Sequence, residues 1–444
     1  MLYLGNRMEN ELSKNNTITE DWDRVILVGA DFEDGTDFEL FMHELSELAY
    51  ACDLKVVEVL TQKLDYPNKA TFLGQGKIDE LRRDVILQDA NMVVFAQTLT
   101  PSQLRNIQQI LQIPVIDRTF LILEIFSKRA KTKEAKLQVE VARLEYMLPR
   151  LVGLHASLSR QGGGSGSMSN KGSGEKKLEL DRRYLEHRLT ELRRELKHLE
   201  EKRKTQRKKR KQNDIYRVAL AGYTNAGKST LMNAMLEHSL EERTELLENK
   251  KVFQKDMLFA TLDTTVRRIA YPNKIPFLLT DSVGFVSFLP HNLIEAFHST
   301  LEEIKESDLI LIVVDASDVN HEEQIEVTKT ELRNLDAGNI PCIYVYNKAD
   351  CIFGLHELPK RIGNKIYLSA SEIIGVDELV EMIQNQIQKD YVKTEIIIPY
   401  SDGALYSYLK KEAIILSEEY IQDGIKLSLY MNTIIESRLR DSMR

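Results

Sequence analysis

A chain of 444 residues with 43% hydrophobic and 29% charged side chains has the composition of an ordinary soluble protein, long enough for about three domains. Its net charge of −8 argues against a protein that coats nucleic acid wholesale, and no run approaches the ~18 apolar residues of a membrane span, so neither DNA nor a membrane is an expected partner. Three cysteines without metal-ligand spacing cannot form a disulfide framework, and the start "MLYLGNRMENELSKNN" lacks the basic-then-apolar pattern of a secretion signal, so a reducing cytoplasm is the expected location.

Residues 24–129 alternate between strand and helix patterns. "RVILVG" (24–29), "KVVEVL" (55–60), "NMVVFA" (91–96) and "IPVID" (113–117) read as strands. "FELFMHELSELAYA" (38–51), "KIDELRRDVILQ" (77–88), "PSQLRNIQQILQ" (101–112) and the segment after Asp117 read as helices. The alternation predicts parallel strands covered by helices. "GQGK" (74–77) lacks the full spacing of a phosphate loop and is read as a helix entry.

The texture then changes. Leu137, Val141, Leu144, Leu148 and Leu151 step by four and three, as do Leu185, Leu189, Leu192, Leu196 and Leu199. Each set makes one apolar stripe, and the two can bury each other as an antiparallel helical hairpin. Between them, the Gly- and Ser-rich segment 153–175 cannot support a packed core and is expected to be a flexible tip carried far from the body. After the hairpin, "EKRKTQRKKRKQ" (201–212) carries eight Lys or Arg in twelve residues, a field that attracts phosphate backbones. Arg160, Lys171, Lys208, Lys209, Arg210 and Lys211 are the candidate RNA contacts, against the plain reading of a solvated helix end.

A second α/β domain follows. Its strands are "YRVALAG", "RRIAYP", "IPFLLTD", "LILIVVDAS", "IPCIYVYNKAD" and "KIYLSAS". "GYTNAGKS" fits GxxxxGK[ST], directly after a strand and opening a helix, the context that gives this motif its meaning. Gly222 and Gly227 let backbone N–H groups from Tyr223, Thr224, Asn225 and Ala226 curl around phosphate oxygens. Lys228 brings positive charge to the β and γ phosphates, Ser229 can place its hydroxyl on Mg²⁺, and the helix start, with Thr230, adds its partial positive charge.

The base is read elsewhere. In "NKAD", Asp350 can accept two hydrogen bonds from guanine's ring N–H and amino group, a pair that adenine does not offer. Asn347 can tie the loops together and Lys348 can lay its methylenes on the ring. "SAS" ends the next strand, Ser369 and Ser371 flanking an Ala370 N–H suited to the guanine oxygen. "TDSVG" brings Asp281, Ser282, Val283 and Gly284, the carboxylate suited to stand behind the Mg²⁺ ligands and the Gly284 N–H to meet the γ-phosphate. "FATLD" (Phe259, Ala260, Thr261, Leu262, Asp263) and the threonines after it belong to a switch segment. Among Thr261, Thr264 and Thr265, likeness to other switch segments favours Thr261 as the second Mg²⁺ hydroxyl. Lys228, Thr261 and Gly284 are thus the candidate catalytic groups for GTP, with GDP as product. Phe285 stands where many GTPases have a water-positioning Gln, so slow intrinsic hydrolysis that waits for a partner or ion is expected. Asn225 either coordinates K⁺ beside the phosphates or only stabilises its loop; His291 is read as a surface or structural residue. The tail, with "EIIIPYS", "ALYSYLKKEA", "IILSEEY" and "IKLSLYM", suggests a small α+β domain. The expected organisation is an N-terminal parallel α/β domain (1–130), a long hairpin (131–212), a Ras-like P-loop GTPase domain (213–390) and a C-terminal α+β domain (391–444).

The whole set resembles the HflX family of translational GTPases. The likeness rests on "DRTFLILEIFSKRAKTKEAKLQVEVARLEYMLPRL" (117–151), "SRQGGG" (159–164), "GEKKLELDRR" (174–183), "GYTNAGKSTLMN", "LFATLD", "DSVGFVSFLPHNLIEAFHSTLEE" and "NKAD". It implies a cytoplasmic GTPase on the large ribosomal subunit and its rRNA that splits stalled ribosomes; separately, a monomer is expected. The sequence departs from the family at the tip, where 170–175 reads "NKGSGE" in place of an Arg-Gly-Pro-Gly-Glu run, and in a long connection at 236–257. A specialised paralogue that relieves antibiotic inhibition at the peptidyl transferase centre is one reading of that tip. Two other classes compete: a GTP-regulated rRNA-binding assembly or dormancy factor without splitting activity, and an ATP-driven RNA-remodelling enzyme, for which no second complete P-loop is visible.

Overall fold

A computed structural model describes residues 23–33, 37–160, 180, 182–199, 201, 215–237, 259, 265–272, 274–286 and 303–432, with backbone only at 151–160, 390, 411 and 412. These fall into two compact units.

In the first unit, β1 (Asp23–Asp31) buries six successive residues, as a strand covered on both faces must. It is followed by α1 (Phe38–Ala51), β2 (Leu54–Lys63), α2 (Gln75–Leu87), β3 (Met92–Phe95), α3 (Pro101–Leu111), β4 (Val115–Asp117) and α4 (Arg118–Arg129). The strands run parallel in the order β2-β1-β3-β4, as the alternation predicts. Helix starts follow from their caps: the Asp37 carboxylate accepts the Leu40 N–H, and Thr100 with Gln103 forms a reciprocal capping box. Gly74 caps α2, in line with the helix-entry reading of "GQGK". One face of the sheet buries Ile26, Val28, Val93 and Phe95 against Ile78, Leu81, Leu104 and Ile107.

The hairpin is built on this sheet. Helix α5 (Lys133–Arg160) and α6 (182–199) pack Leu137, Val141 and Leu144 on Leu189 and Leu192, the two stripes read from the sequence. Ion pairs Lys133–Glu195 (3.2 Å) and Arg188–Glu140 (3.0 Å) fix the antiparallel register. Asp117 roots the arm. Fully buried, its carboxylate caps α4 at Phe120 N–H (3.0 Å) and accepts the Tyr146 hydroxyl (2.8 Å) and the Arg150 guanidinium (3.1 Å) from α5. One expectation is corrected: α5 runs on to Arg160, through the first part of the segment expected to be flexible tip. "LHASLSR" (154–160) contains no Gly or Pro, and the glycine run begins only at Gly162. The remainder of the tip and the basic run from 202 lie outside the described residues.

The second unit contains β5 (Tyr216–Gly222), α7 (Lys228–Glu237), β6 (Thr265–Ile269), β7 (Phe277–Asp281), β8 (Leu309–Asp315), α8 (His321–Asn334), β9 (Cys342–Asn347), β10 (Lys360–Ile362), β11 (Lys365–Tyr367) and α9 (Val376–Ile387). The sheet order is β10-β11-β9-β8-β5-β7-β6, parallel except for the two outermost strands. β10 is absent from the sequence reading, since three residues "KRI" give no apolar pattern. Then come β12 (Tyr391–Ile398), α10 (Gly403–Glu412), β13 (Ile414–Ile421) and β14 (Gly424–Asn432), an antiparallel sheet ordered β12-β14-β13. Its face buries Leu427, Leu429 and Met431 against Leu409 of α10, while Tyr391, Ile414 and Tyr430 pack on the core of the larger sheet.

Parallel pairing brings the carboxyl ends of β5, β7, β8, β9 and β11 to one crest, where open α/β sheets hold ligands. Gly222 ends β5 there at φ +147, with Val313 O only 2.2 Å from where a Cβ would stand. Gly222→Ala is therefore expected to destabilise the second unit by about 2–4 kcal/mol, since backbone cannot yield as a flexible side chain does. Urea unfolding of the full chain measures this, and a midpoint within error of the parent would refute it.

Candidate functional site

The loop between Gly222 and the first residue of α7, Lys228, wraps tightly. Asn225 takes a left-handed φ of 61, which Asn tolerates better than most residues. Lys228 is buried, and its Nζ donates to the carbonyls of Gly222 (3.1 Å) and Tyr223 (2.6 Å). Burial pushes its pKa down to about 8, against the pull of the Asp281 carboxylate. Ser229 donates its hydroxyl to Asp281 Oδ2 at 2.7 Å, with Thr230 next to it in the first turn of α7. Ser282 donates to Leu220 O at 2.6 Å, which fixes the chain leaving β7.

That chain folds over the loop. Val283 is buried, and a Cβ on Gly284 would stand 2.8 Å from Thr224 Cα and 2.9 Å from Lys228 Nζ, so only glycine fits this approach. Phe285 donates its N–H to Gly222 O (3.1 Å) and accepts the Thr224 N–H (2.7 Å). Its ring is buried. The Thr224 hydroxyl is buried with no hydrogen-bond partner.

On the other side of the crest, Asn347 joins two loops: its Nδ2 donates to Ala226 O (3.0 Å) and its Oδ1 accepts the Ala370 N–H (2.9 Å). The Ala370 N–H expected to meet a guanine oxygen is thus bonded to Asn347, and a base would have to share it. Ser369 and Ser371 stand with hydroxyls 3.2 Å apart. Lys348 has a left-handed φ of 57 and an Nζ 2.7 Å from Asp315 Oδ2. Asp350 follows in a 3₁₀ turn, and its Oδ1 is buried without a partner. A buried carboxylate oxygen left so is costly unless a ligand donor meets it, and guanine supplies such donors.

Not every predicted residue gathers here. Phe259 packs edge-on against Phe126 (ring centroids 4.7 Å apart), and both belong to the first unit. Thr265 begins β6 opposite Asp281. Ala260, Thr261, Leu262, Asp263, Thr264, His291, Lys171, Lys208, Lys209, Arg210 and Lys211 lie outside the described residues, and of Arg160 only the backbone at the end of α5 is described. Two groups went unread in the sequence: Asp315, whose signal was a carboxylate closing the strand beside "NKAD", and the Thr224 hydroxyl.

Phosphate-loop residues and Asp281 on one side, and the buried, unpartnered Asp350 carboxylate oxygen on the other, with Asn347 tying the two loops, define a P-loop GTPase that binds GTP and GDP. The family models and sequence relatives agree. Family models match for "GTP-binding GTPase N-terminal" over residues 39–127, "GTP-binding GTPase Middle Region" over 129–210 and "50S ribosome-binding GTPase" over 217–348. GTPase HflX of Caldanaerobacter subterraneus subsp. tengcongensis is 41% identical over 440 residues, 99% of this chain and 96% of that protein. GTPase HflX of Escherichia coli K12 is 36% identical over 425 residues, 94% of this chain and 95% of that protein. A crystal structure of a GTP-binding protein from Sulfolobus solfataricus in complex with GDP covers 82% of this chain and 98% of its own, at 22% identity and a TM-score of 0.41. The chain belongs to the HflX family of GTPases. Among the described residues, no helix is long and apolar enough to cross a membrane.

Proposed function

We propose that this GTPase works in the cytoplasm, binds the large ribosomal subunit through rRNA contacts of its hairpin arm, and splits or rescues stalled ribosomes. The observation that carries the reading is a "50S ribosome-binding GTPase" match over the nucleotide site, in a chain that also builds a rigid arm of packed leucines rooted at Asp117. Intrinsic hydrolysis is slow in this reading, because the Phe285 ring is buried and its main chain is bonded to the loop, so nothing at that position can hold an attacking water.

Lys228 and the loop N–H groups bind the β and γ phosphates, and Gly284 offers its N–H to the γ-phosphate. Ser229 and Thr261, with Asp281 behind Ser229, would hold Mg²⁺, which would supply neutralising charge; the Ser229–Asp281 pair at 2.7 Å is the kind of donor set that suits it. K⁺ at Asn225 would add charge of the same sign beside the phosphates. The molecule acts as a monomer.

Purified large subunits are expected to raise GTP turnover by about 10²-fold or more, and replacing K⁺ by Na⁺ to lower it if Asn225 holds the ion. Absence of stimulation in either buffer would remove the ribosome from the account. An assembly or dormancy factor would bind without splitting: gradient profiles after addition of protein and GTP distinguish the two, because only splitting lowers the joined-ribosome peak. If the altered tip relieves drug inhibition at the peptidyl transferase centre, deleting the gene sensitises cells to drugs at that site.

A further inference from the structure

We propose that Asp315 is a positioning residue for the nucleotide base: it holds the Lys348 side chain stretched out as the surface on which the purine ring lies. Asp315 is the last residue of β8, in register with Asn347, the first residue of "NKAD" on β9. The two strand ends are fastened where Ala316 donates its N–H to Asn347 O (2.8 Å).

The Asp315 carboxylate is divided between two tasks. Oδ1 accepts both the N–H (3.0 Å) and the hydroxyl (2.6 Å) of Ser317, which fixes its rotamer. Oδ2 accepts Lys348 Nζ at 2.7 Å. Neither partner is a freely solvated surface charge, with side-chain exposure of 28% for Lys348 and 16% for Asp315. Lys348 is fixed at its other end as well, by its left-handed backbone and by its carbonyl, which accepts the Cys351 N–H (3.1 Å).

A lysine stem tethered at both ends has lost the rotamer freedom that a free lysine would surrender on binding. Its methylenes are laid down next to Asp350 before any base arrives. They touch the face of a ring, whereas Asp350 reads its edge, so the Asp315 contribution is blind to which purine is bound. This inference rests on the placement of guanine at Asp350, and the two can be told apart.

The test uses the full chain and four proteins: the parent, Asp315→Asn, Lys348→Met and the double variant. Release of a fluorescent GDP is followed by stopped flow, and affinities are measured for GDP and inosine diphosphate, which lacks the 2-amino group. Asp315→Asn keeps an acceptor for Ser317 but loses the charge that holds Nζ. It should speed release by about three- to tenfold, the cost of ordering one long side chain on binding. Lys348→Met should do the same, the double variant should be no worse than Lys348→Met alone, and the ratio of GDP to inosine diphosphate affinity should stay at the parent value. Release at the parent rate in Asp315→Asn overturns the proposal, as do additive effects in the double variant. Should Asp315→Asn fold poorly, Asp315→Glu is compared with Lys348→Met: release near the parent rate supports the tether, and release as fast as that of Lys348→Met overturns it. A parent protein with equal affinity for the two nucleotides overturns the guanine placement, and the proposal with it.

Discussion

Replacing Lys228 by alanine is expected to lower GTP turnover by about 10³-fold, the loss that follows when a preorganised charge is removed from a dry site. The side chain is buried and makes its two bonds to carbonyl dipoles of its own loop, Gly222 and Tyr223. A phosphate offers full negative charge at the same place. The pH dependence follows from the depressed pKa of about 8. Below that pH the amine is already charged, and affinity for GDP is flat. Above it, binding must first restore the proton, so affinity should fall by up to about tenfold per pH unit, with uptake approaching one proton per nucleotide. Folding follows the opposite sign. The unfolded chain keeps the Lys228 proton up to its ordinary value of 10.5, so stability rises as the pH climbs from about 8 towards it. Calorimetry in buffers of different ionisation enthalpy measures the uptake directly. Equal GDP affinity at pH 7 and pH 9.5, or near-parent turnover in Lys228→Ala, would sink this account of the phosphate site.

The second large effect is expected at Asp350. Guanine presents two donors, and Asp350 Oδ1 is buried without a partner, so in the proposed reading it receives one of them. In Asp350→Asn one acceptor becomes an amide N–H₂, which faces guanine's amino group donor to donor. GDP affinity should drop by about 10²- to 10⁴-fold, because two buried polar groups are left unmet. Xanthine carries a carbonyl where guanine has its amino group, and the same variant should prefer xanthosine diphosphate over GDP. Competition of the two against a fluorescent nucleotide reads the exchange. A variant that still prefers GDP would show that some other group reads the base edge.

The fold was legible in the sequence where burial is two-sided. β1 and β8 are near-continuous apolar runs, and they announce parallel strands. The hairpin was legible because its leucines repeat at helical spacing on both arms. The site was legible where chemistry needs a residue type at a fixed spacing, as in "GYTNAGKS" and "NKAD". What escaped has physical reasons. The continuation of α5 to Arg160 is a matter of where the run of glycines begins, at Gly162, against a composition averaged over the whole tip; the single Gly153 does not end the helix. The bond between Asp315 and Lys348 spans 33 positions, and an acidic residue before "AS" looks like any turn former. The Ala370 N–H is engaged by Asn347, a partner one strand away that no spacing rule names. The close passage of Phe285 along the phosphate loop leaves no trace at all, because it is made by main-chain atoms.

That last contact has a mechanical meaning. The peptide groups of Gly222, Thr224 and Phe285 are laced together, so the end of β5 and the chain that leaves the sheet after Asp281 are tied directly to each other. Main-chain atoms alone, with no side chain between them, make this tie, as a cord holds a latch. Exchanging the Phe285 ring for another side chain would leave the cord intact.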